Sequence, residues 1–417
     1  MISIPFIYFG LLSVYLFKKR GLDASSYCVL LYAITSFFSI VLMSIDGEYS
    51  AIYSEEVQVT PMLVYCLYIT AIILPLYTFN SNSVNRVTVR NEKFINAIAI
   101  YFFVSLVIIM LAYAKDFAER LFFASLEDMN DVKLSAQARD ELKLTQYPAI
   151  ITYPLKVLCF TSSMSYVSIF IYFFSKAYLK KSKLFNAITI IGSLTSPVFA
   201  MLLMDRSRTI WWLLIFGLCF SLFWRHLSGK SRKDLKKTSF VVIGILAIYI
   251  ISVSIARFAQ NRDGTSNALV SYAGMSYPNF CYFYNNFTNP DGFTGKVLFP
   301  VTNSLFTHNA YADVGWQKEL TIRTGIDTGV FYSFVGTIYV GEGLMGLIIF
   351  FVLYYLLWMF LFPRHKKYMS FEKLFCLFLL MIIPSTGSIA YFGGYTINIT
   401  TALLLLFMFL YSRKILF

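Results

Sequence analysis

Long, nearly uncharged apolar runs alternate along this chain with short polar connections, and that alternation constrains the fold more than any other feature. A helix needs roughly 20 apolar residues, and at least about 17, to cross the hydrocarbon of a bilayer. Eleven stretches qualify: 2–17, 26–45, 61–79, 94–114, 150–175, 184–204, 209–225, 240–258, 341–362, 372–391 and 396–412. Within each stretch the apolar residues are continuous, whereas a strand of a membrane barrel would alternate apolar and polar positions. Hydrophobic residues make up 58% of the 417 and charged residues only 14%. That balance excludes a water-soluble enzyme, a disordered chain and a nucleic-acid binder of ordinary type. The expected fold is an all-α polytopic membrane protein of about eleven transmembrane helices, ten to twelve in range, forming one transmembrane domain over 1–417. Pro5, Pro61 and Pro75 fall near the ends of their runs, where a missing N–H is tolerated.

The net charge of +13 is distributed unevenly. Taking the connections alternately, one side holds 22 of the 35 basic residues and four of the 22 acids, a net +18, and the remainder of the chain carries −5. Basic connections mark the cytoplasmic side. The N-terminus is therefore expected outside and the C-terminus inside. The first apolar run is followed, not preceded, by Lys18, Lys19 and Arg20. A cleaved signal peptide has the reverse order, so the run is read as a retained span. Six cysteines show no paired spacing and most sit in apolar runs, so neither a disulfide framework nor a Cys-rich metal site is expected.

On this reading the polar material collects outside. Segment 46–60 is a short acidic loop, and 115–149 has the apolar and charged mixture of a helix lying at the interface. Segment 259–340 is long enough to be partly helical and folded over the bundle. The cytoplasmic connections are short and carry neither a P-loop nor a G-x-G-x-x-G, so no nucleotide site is expected. No D-x-D or H-E-x-x-H occurs, and no metal or other cofactor is expected.

Charged residues at the outer boundary are the candidate functional groups. The segment MLLMDRSRTIWW places Asp205, Arg206 and Arg208 in a very short turn between two apolar runs. Arginines on the outer side run against the charge rule. Two readings stand: snorkelling with Asp205 as a neutralising partner, or an anion site, for which the guanidinium fork suits phosphate oxygens. SIARFAQNRDG adds Arg257, which interrupts an apolar helix near its outer end, and the pair Arg262 and Asp263. Arg323 in KELTIRTGIDTG is either a surface arginine or a phosphate or sugar ligand. His308, in SLFTHNAYADVG, is the one histidine placed outside, either a hydrogen-bonded structural residue or a base for a sugar hydroxyl. Asn309, Tyr311 and Asp313 follow it at spacings that could shape a sugar pocket, and Tyr272, Tyr277, Tyr282 and Tyr284 are further candidates by position. In FYSFVGTIYVGEGLMGLIIF, Gly336, Gly341, Gly343 and Gly346 allow close helix contact or irregular backbone, with Glu342 as a candidate partner for an arginine.

The order of these features, with the external arginines of DRSRT, the late THNAYADVG segment, TGVFYSFVGTIYVGEGLMG and two last spans, resembles the bacterial Wzy-type O-antigen polymerases. The H-N-x-Y piece also resembles the related O-antigen ligases. The resemblance covers the hydropathy from about 25 to 412, and its specific part is 304–350. It implies a GT-C-like bundle that joins undecaprenyl-pyrophosphate-linked repeat units at the outer face, without metal or nucleotide. His308 would be the base and Arg206, Arg208 or Arg257 would hold the lipid pyrophosphate. The implied partners are lipid-linked oligosaccharides, membrane lipids and a chain-length-regulating membrane protein, with no nucleic acid. An O-antigen ligase acting on lipid A core is the alternative. A flippase of lipid-linked sugar is a second, disfavoured because the span centres lack charge.

Overall fold

The structure, a computed structural model, describes residues 1–79, 84, 86–120, 147–203, 205–258, 265–288, 315–328, 330, 332–361, 368–388, 404, 406 and 407. The described chain is an all-α polytopic membrane protein. Seven of its helices are long and apolar enough to cross a membrane, or eight if one bent pair counts as a single span. Two compact units divide the chain, one made of Met1–Val84 and Ser266–Phe417 and the other of Asn85–Thr265.

The first unit begins with α1 (Ile4–Arg20), α2 (Ala24–Ile45), the short α3 (Gly47–Tyr53) and α4 (Val59–Thr78). The 2–17 run is thus helical, and at 17 residues α1 falls short of the seven helices long enough to cross a membrane. Asp23 starts α2 with a reciprocal cap, its carboxylate accepting from the Ser26 N–H while the Ser26 hydroxyl accepts from the Asp23 N–H.

The Asn85–Thr265 unit contains α5 (Glu92–Ala112), the short α6 (Ala114–Ala118), α7 (Ala149–Ser162), α8 (Tyr166–Phe174), α9 (Lys183–Gly192), α10 (Thr195–Leu202), α11 (Ser207–Phe223) and α12 (Gly229–Phe258). Every residue of α8 is buried, and it is the centre of this unit, with Phe173 and Phe216 edge to face at 5.1 Å. The 150–175 run is one bent pair, α7 and α8 meeting at 58°. Its break is rich in hydroxyls. Ser162 and Ser163 donate to the carbonyls of Cys159 and Phe160, and Ser165 donates to the carbonyl of Ser193 at 3.0 Å and accepts from the Ser196 N–H at 3.1 Å. A second break, between α9 and α10, is closed in the same place: Trp212 Nε1 donates to the Ser193 hydroxyl, and Thr195 donates to the carbonyls of Gly192 and Phe102. Helix α12 begins eleven residues before the apolar run at 240, because its basic first turns, KSRKDLKK, consist largely of good helix formers.

The chain then returns to the first unit with α13 (Thr265–Gly274), α14 (Ser276–Asn286), α15 (Gly315–Thr324), α16 (Ser333–Leu361) and α17 (Phe371–Thr386). The described parts of 259–340 are therefore helical, and α14 packs on α2, α4 and α16 within this unit. Gly274 lies so close to α2 that an added Cβ would sit 2.4 Å from the Phe38 carbonyl oxygen, and Ser39 donates to the Gly274 carbonyl at 2.6 Å. All of α17 except Lys373 is buried. Two prolines inside these apolar helices free carbonyls one turn earlier, and two consecutive tyrosines of α16 supply the missing donors. Tyr355 donates to the carbonyl of Ala71, left over by Pro75, at 2.8 Å, and Tyr354 to that of Leu380, left over by Pro384, at 3.4 Å. Within α16 the glycine run produces irregular backbone, with Gly343 at φ 64° and ψ −162°. The 396–412 run lies almost wholly outside the described residues.

Candidate functional site

The turn between α10 and α11 gathers Asp205, Arg206 and Arg208 in the Asn85–Thr265 unit. Helix α10 ends as Leu203 and Asp205 both return their N–H groups to the Ala200 carbonyl, at 3.0 and 2.9 Å. Asp205 then opens α11, accepting from the Ser207 N–H at 3.1 Å and the Ser207 hydroxyl at 2.7 Å. Tyr249, from α12, donates to the Asp205 carbonyl at 3.4 Å. These bonds occupy the Asp205 carboxylate with the turn itself, so it is more than a counter-charge for a snorkelling arginine.

Arg206 is only 4% exposed, which sets it apart from an arginine reaching into water. Arg208 is half-buried, its guanidinium carbon 5.3 Å from the centre of the Phe199 ring. Arg208 Nη1, Thr209 Oγ1 and Trp211 Nε1 are buried and have no hydrogen-bond partner among the described residues. Arg208 and Trp211, three positions apart, share one face of the first turns of α11. A buried donor without an acceptor costs about 1–3 kcal/mol, so three of them at a helix N-terminus form a place that an anion would satisfy.

A third arginine joins them. Arg120, 9% exposed and just beyond α6, donates through Nη1 to the carbonyl of Leu202, the last residue of α10. Burial lowers the pKa of this guanidinium, and the carboxylates of Asp116 and Glu119 oppose the shift. Beneath the turn lies an apolar floor of Ile109, Tyr113, Leu155 and Leu202, with Phe199 and Cys159 packed against it. Charges above such a floor act through little water and are correspondingly strong.

The remaining candidates fall elsewhere. Arg257 is in the last turn of α12. Arg323, exposed near the end of α15, and Glu342, half-buried beside the Gly343 irregularity, belong to the first unit. His308, Asn309, Tyr311, Asp313, Arg262 and Asp263 lie outside the described residues. Of the four tyrosines, Tyr277 is 1% exposed and packs on Tyr65 in the core, which removes it from any sugar surface. Tyr282 meets Tyr53 edge to face, Tyr284 stacks on Tyr339 at 5.2 Å, and Asn285 donates to the Glu56 carboxylate at 2.8 Å. Among the described residues no three His, Cys, Asp or Glu side chains gather in a set that could hold a metal ion.

No family model, curated protein or solved structure matches this chain. The turn must therefore be interpreted from its own chemistry.

Proposed function

We propose that this chain is a membrane glycosyltransferase that joins lipid-pyrophosphate-linked oligosaccharide repeat units at the outer face of the bacterial inner membrane, as the resemblance to O-antigen polymerases implies. The reading takes eleven spans, an external N-terminus and a cytoplasmic C-terminus. The observation that carries it is the arginine turn, where Arg206 and Arg208 sit over an apolar floor and Arg208, Thr209 and Trp211 present buried donors that have no acceptor among the described residues. Buried guanidinium groups are costly in an apolar bundle, and a bound pyrophosphate would offset part of that cost.

In the reaction, a hydroxyl oxygen on the non-reducing sugar of an incoming repeat unit attacks C1 of the reducing-end sugar of the growing glycan. The bond from C1 to the phosphate oxygen breaks, and its electron pair leaves on undecaprenyl pyrophosphate. The hydroxyl proton passes to a base, the role that the resemblance gives to His308. Charge grows on the departing pyrophosphate, and fixed guanidinium groups stabilise it most in the transition state. The glycosyl pyrophosphate stores the energy of transfer, so no nucleotide is consumed.

The test uses the purified protein and lipid-linked repeat units. Polymer should form with release of undecaprenyl pyrophosphate, without nucleotide and in the presence of EDTA. Loss of turnover with chelator, restored by a divalent ion, would sink the metal-free mechanism. Transfer only to a lipid A core acceptor would make the chain a ligase, and transfer to neither acceptor would overturn the reading. For orientation, a cysteine introduced at Ser50 should react with an impermeant reagent added to sealed cells, and cysteines at Ser182 and Ser231 should not. The opposite pattern would reverse the topology.

A further inference from the structure

The lysine-rich end of the Asn85–Thr265 unit holds an open pocket of about 770 Å³. Its wall carries Lys176, Lys180, Lys181 and Lys183, together with His226 and the single carboxylate Asp234. Such a volume is that of a small-molecule site. Charge counting alone makes these lysines topology signals, but their local geometry is more specific.

The π-turn Ser175–Leu179 widens the end of the bent span, and Lys180 closes it in the left-handed region, at φ 52° and ψ 41°, with its N–H on the Ser175 carbonyl at 2.7 Å. A lysine in that conformation costs energy that an ordinary helix end would avoid with glycine. Lys176, Lys180 and Lys183 all line the one cavity. Lys176 lies over the ring of Tyr172, 5.0 Å from its centre. Lys181 is taken up by an ion pair with Glu92. Among the described residues, neither Lys180 nor Lys183 has a carboxylate within ion-pair distance. Helix α12 lines the same space through Ser231, Asp234 and Thr238, with Ser228 just before it accepting from the Ser231 N–H at 3.2 Å. Ile190 and Leu227 supply apolar lining.

The geometry points to a binding site for a phosphate-bearing headgroup at this cavity, on the opposite kind of surface from the arginine turn and resting on none of its chemistry. Ammonium groups are compact charges that can surround a tetrahedral phosphate from several directions, and the apolar lining suits the glycerol and first acyl carbons of an anionic phospholipid. The same lysines would also take a free phosphate or pyrophosphate.

Two measurements on the full-length protein test this and separate the sources. Native mass spectrometry from nanodiscs of equal phosphatidylglycerol and phosphatidylcholine should show retained phosphatidylglycerol enriched at least tenfold. Titration of inorganic pyrophosphate in lipid-free detergent reads the free anion. Each lysine removed should weaken anionic-lipid retention by roughly fivefold. The triple Lys176→Gln, Lys180→Gln, Lys183→Gln variant should thus fall to parity between the two lipids, and the triple Arg variant should keep the enrichment. Asp234→Asn should raise it. Enrichment that pyrophosphate abolishes assigns the site to phosphate from either source, and enrichment that resists pyrophosphate assigns it to the lipid. Parity in the wild type with no pyrophosphate binding overturns the proposal, as does enrichment unchanged in the triple Gln variant. If that variant does not fold, Lys180→Gln and Asp234→Asn decide alone, and retention equal to wild type in both overturns it.

Discussion

The Asn85–Thr265 unit interrupts its apolar helices in two ways. At the breaks after α7 and α9, hydroxyls meet the freed backbone: Ser165 bonds both Ser193 and Ser196, and Ser193 receives Trp212. At the turn between α10 and α11, two arginines arrive and donors remain over, on Arg208, Thr209 and Trp211. The first arrangement is closed to solvent and to ligands. The second also ties up its backbone, with Asp205 accepting from the Ser207 N–H and hydroxyl, but leaves buried donors on Arg208, Thr209 and Trp211 that have no acceptor among the described residues. On the proposed function, the surplus of donors and not the break itself marks the site.

Substitutions at the two kinds of break should separate activity from stability. The largest effect is expected at the open turn. Arg208→Ala or Arg206→Ala should lower glycan extension by on the order of 100-fold, about 3 kcal/mol of transition-state stabilisation, with the protein still folded in the membrane. Lys at either position should recover little of this, because it keeps the charge and loses the planar fork. Full activity in both Ala variants, measured on purified protein, would make the turn as inert as the serine breaks. Ser165→Ala should do the reverse. It strands one buried N–H and one carbonyl, costing about 1–3 kcal/mol in unfolding free energy, while turnover stays within a few-fold. A large loss of turnover without loss of stability would make that break functional too.

Smaller effects sharpen the same contrast elsewhere. Tyr355→Phe removes the donor that covers the Ala71 carbonyl and should cost about 0.6–1.7 kcal/mol, the range for interhelical hydrogen bonds in membranes. An unchanged unfolding midpoint would mean that the freed carbonyl finds another partner. Gly244, inside α12 with open space where a Cβ would go, should gain about 0.5–1 kcal/mol on substitution by Ala.

Much of this was legible in the chain itself. Continuous apolar runs revealed the helices, and Arg206 and Arg208 stood out because a short turn between two such runs has no ordinary use for them. Arg120 escaped notice, since 115–149 mixes acids, bases and apolar residues evenly enough to read as an interfacial helix, and nothing local shows that one arginine turns back to Leu202. The bend at Ser163 left a signal in TSSMS, a hydroxyl cluster inside an apolar run, but the same residues are tolerated in straight helices. The lysines at 176–183 were visible only as a charge count: Lys176, Lys180 and Lys183 have the i, i+4, i+7 spacing of one helix face, but the cavity they line depends on packing beyond the local sequence. Pro75 read as lying near the end of the 61–79 run, and α4 indeed ends three residues past it; what the sequence did not show is that Tyr355 of α16 covers the carbonyl it frees.

The left-handed backbone at Gly343 has a consequence for how the protein fits a lipid bilayer. Helix α16 has 29 residues, and a straight helix of that length would be about 43 Å long, well beyond a hydrocarbon thickness of about 30 Å. The interruption leaves 18 residues, Leu344–Leu361, on its far side, about 27 Å of helix. That segment matches the thickness without tilting steeply or thickening the surrounding lipid. The ten residues before Gly343 are thereby released from spanning and can pack Phe334 and Val340 inward with the protein instead of facing acyl chains. One glycine thus sets the hydrophobic length of the longest apolar helix in its unit.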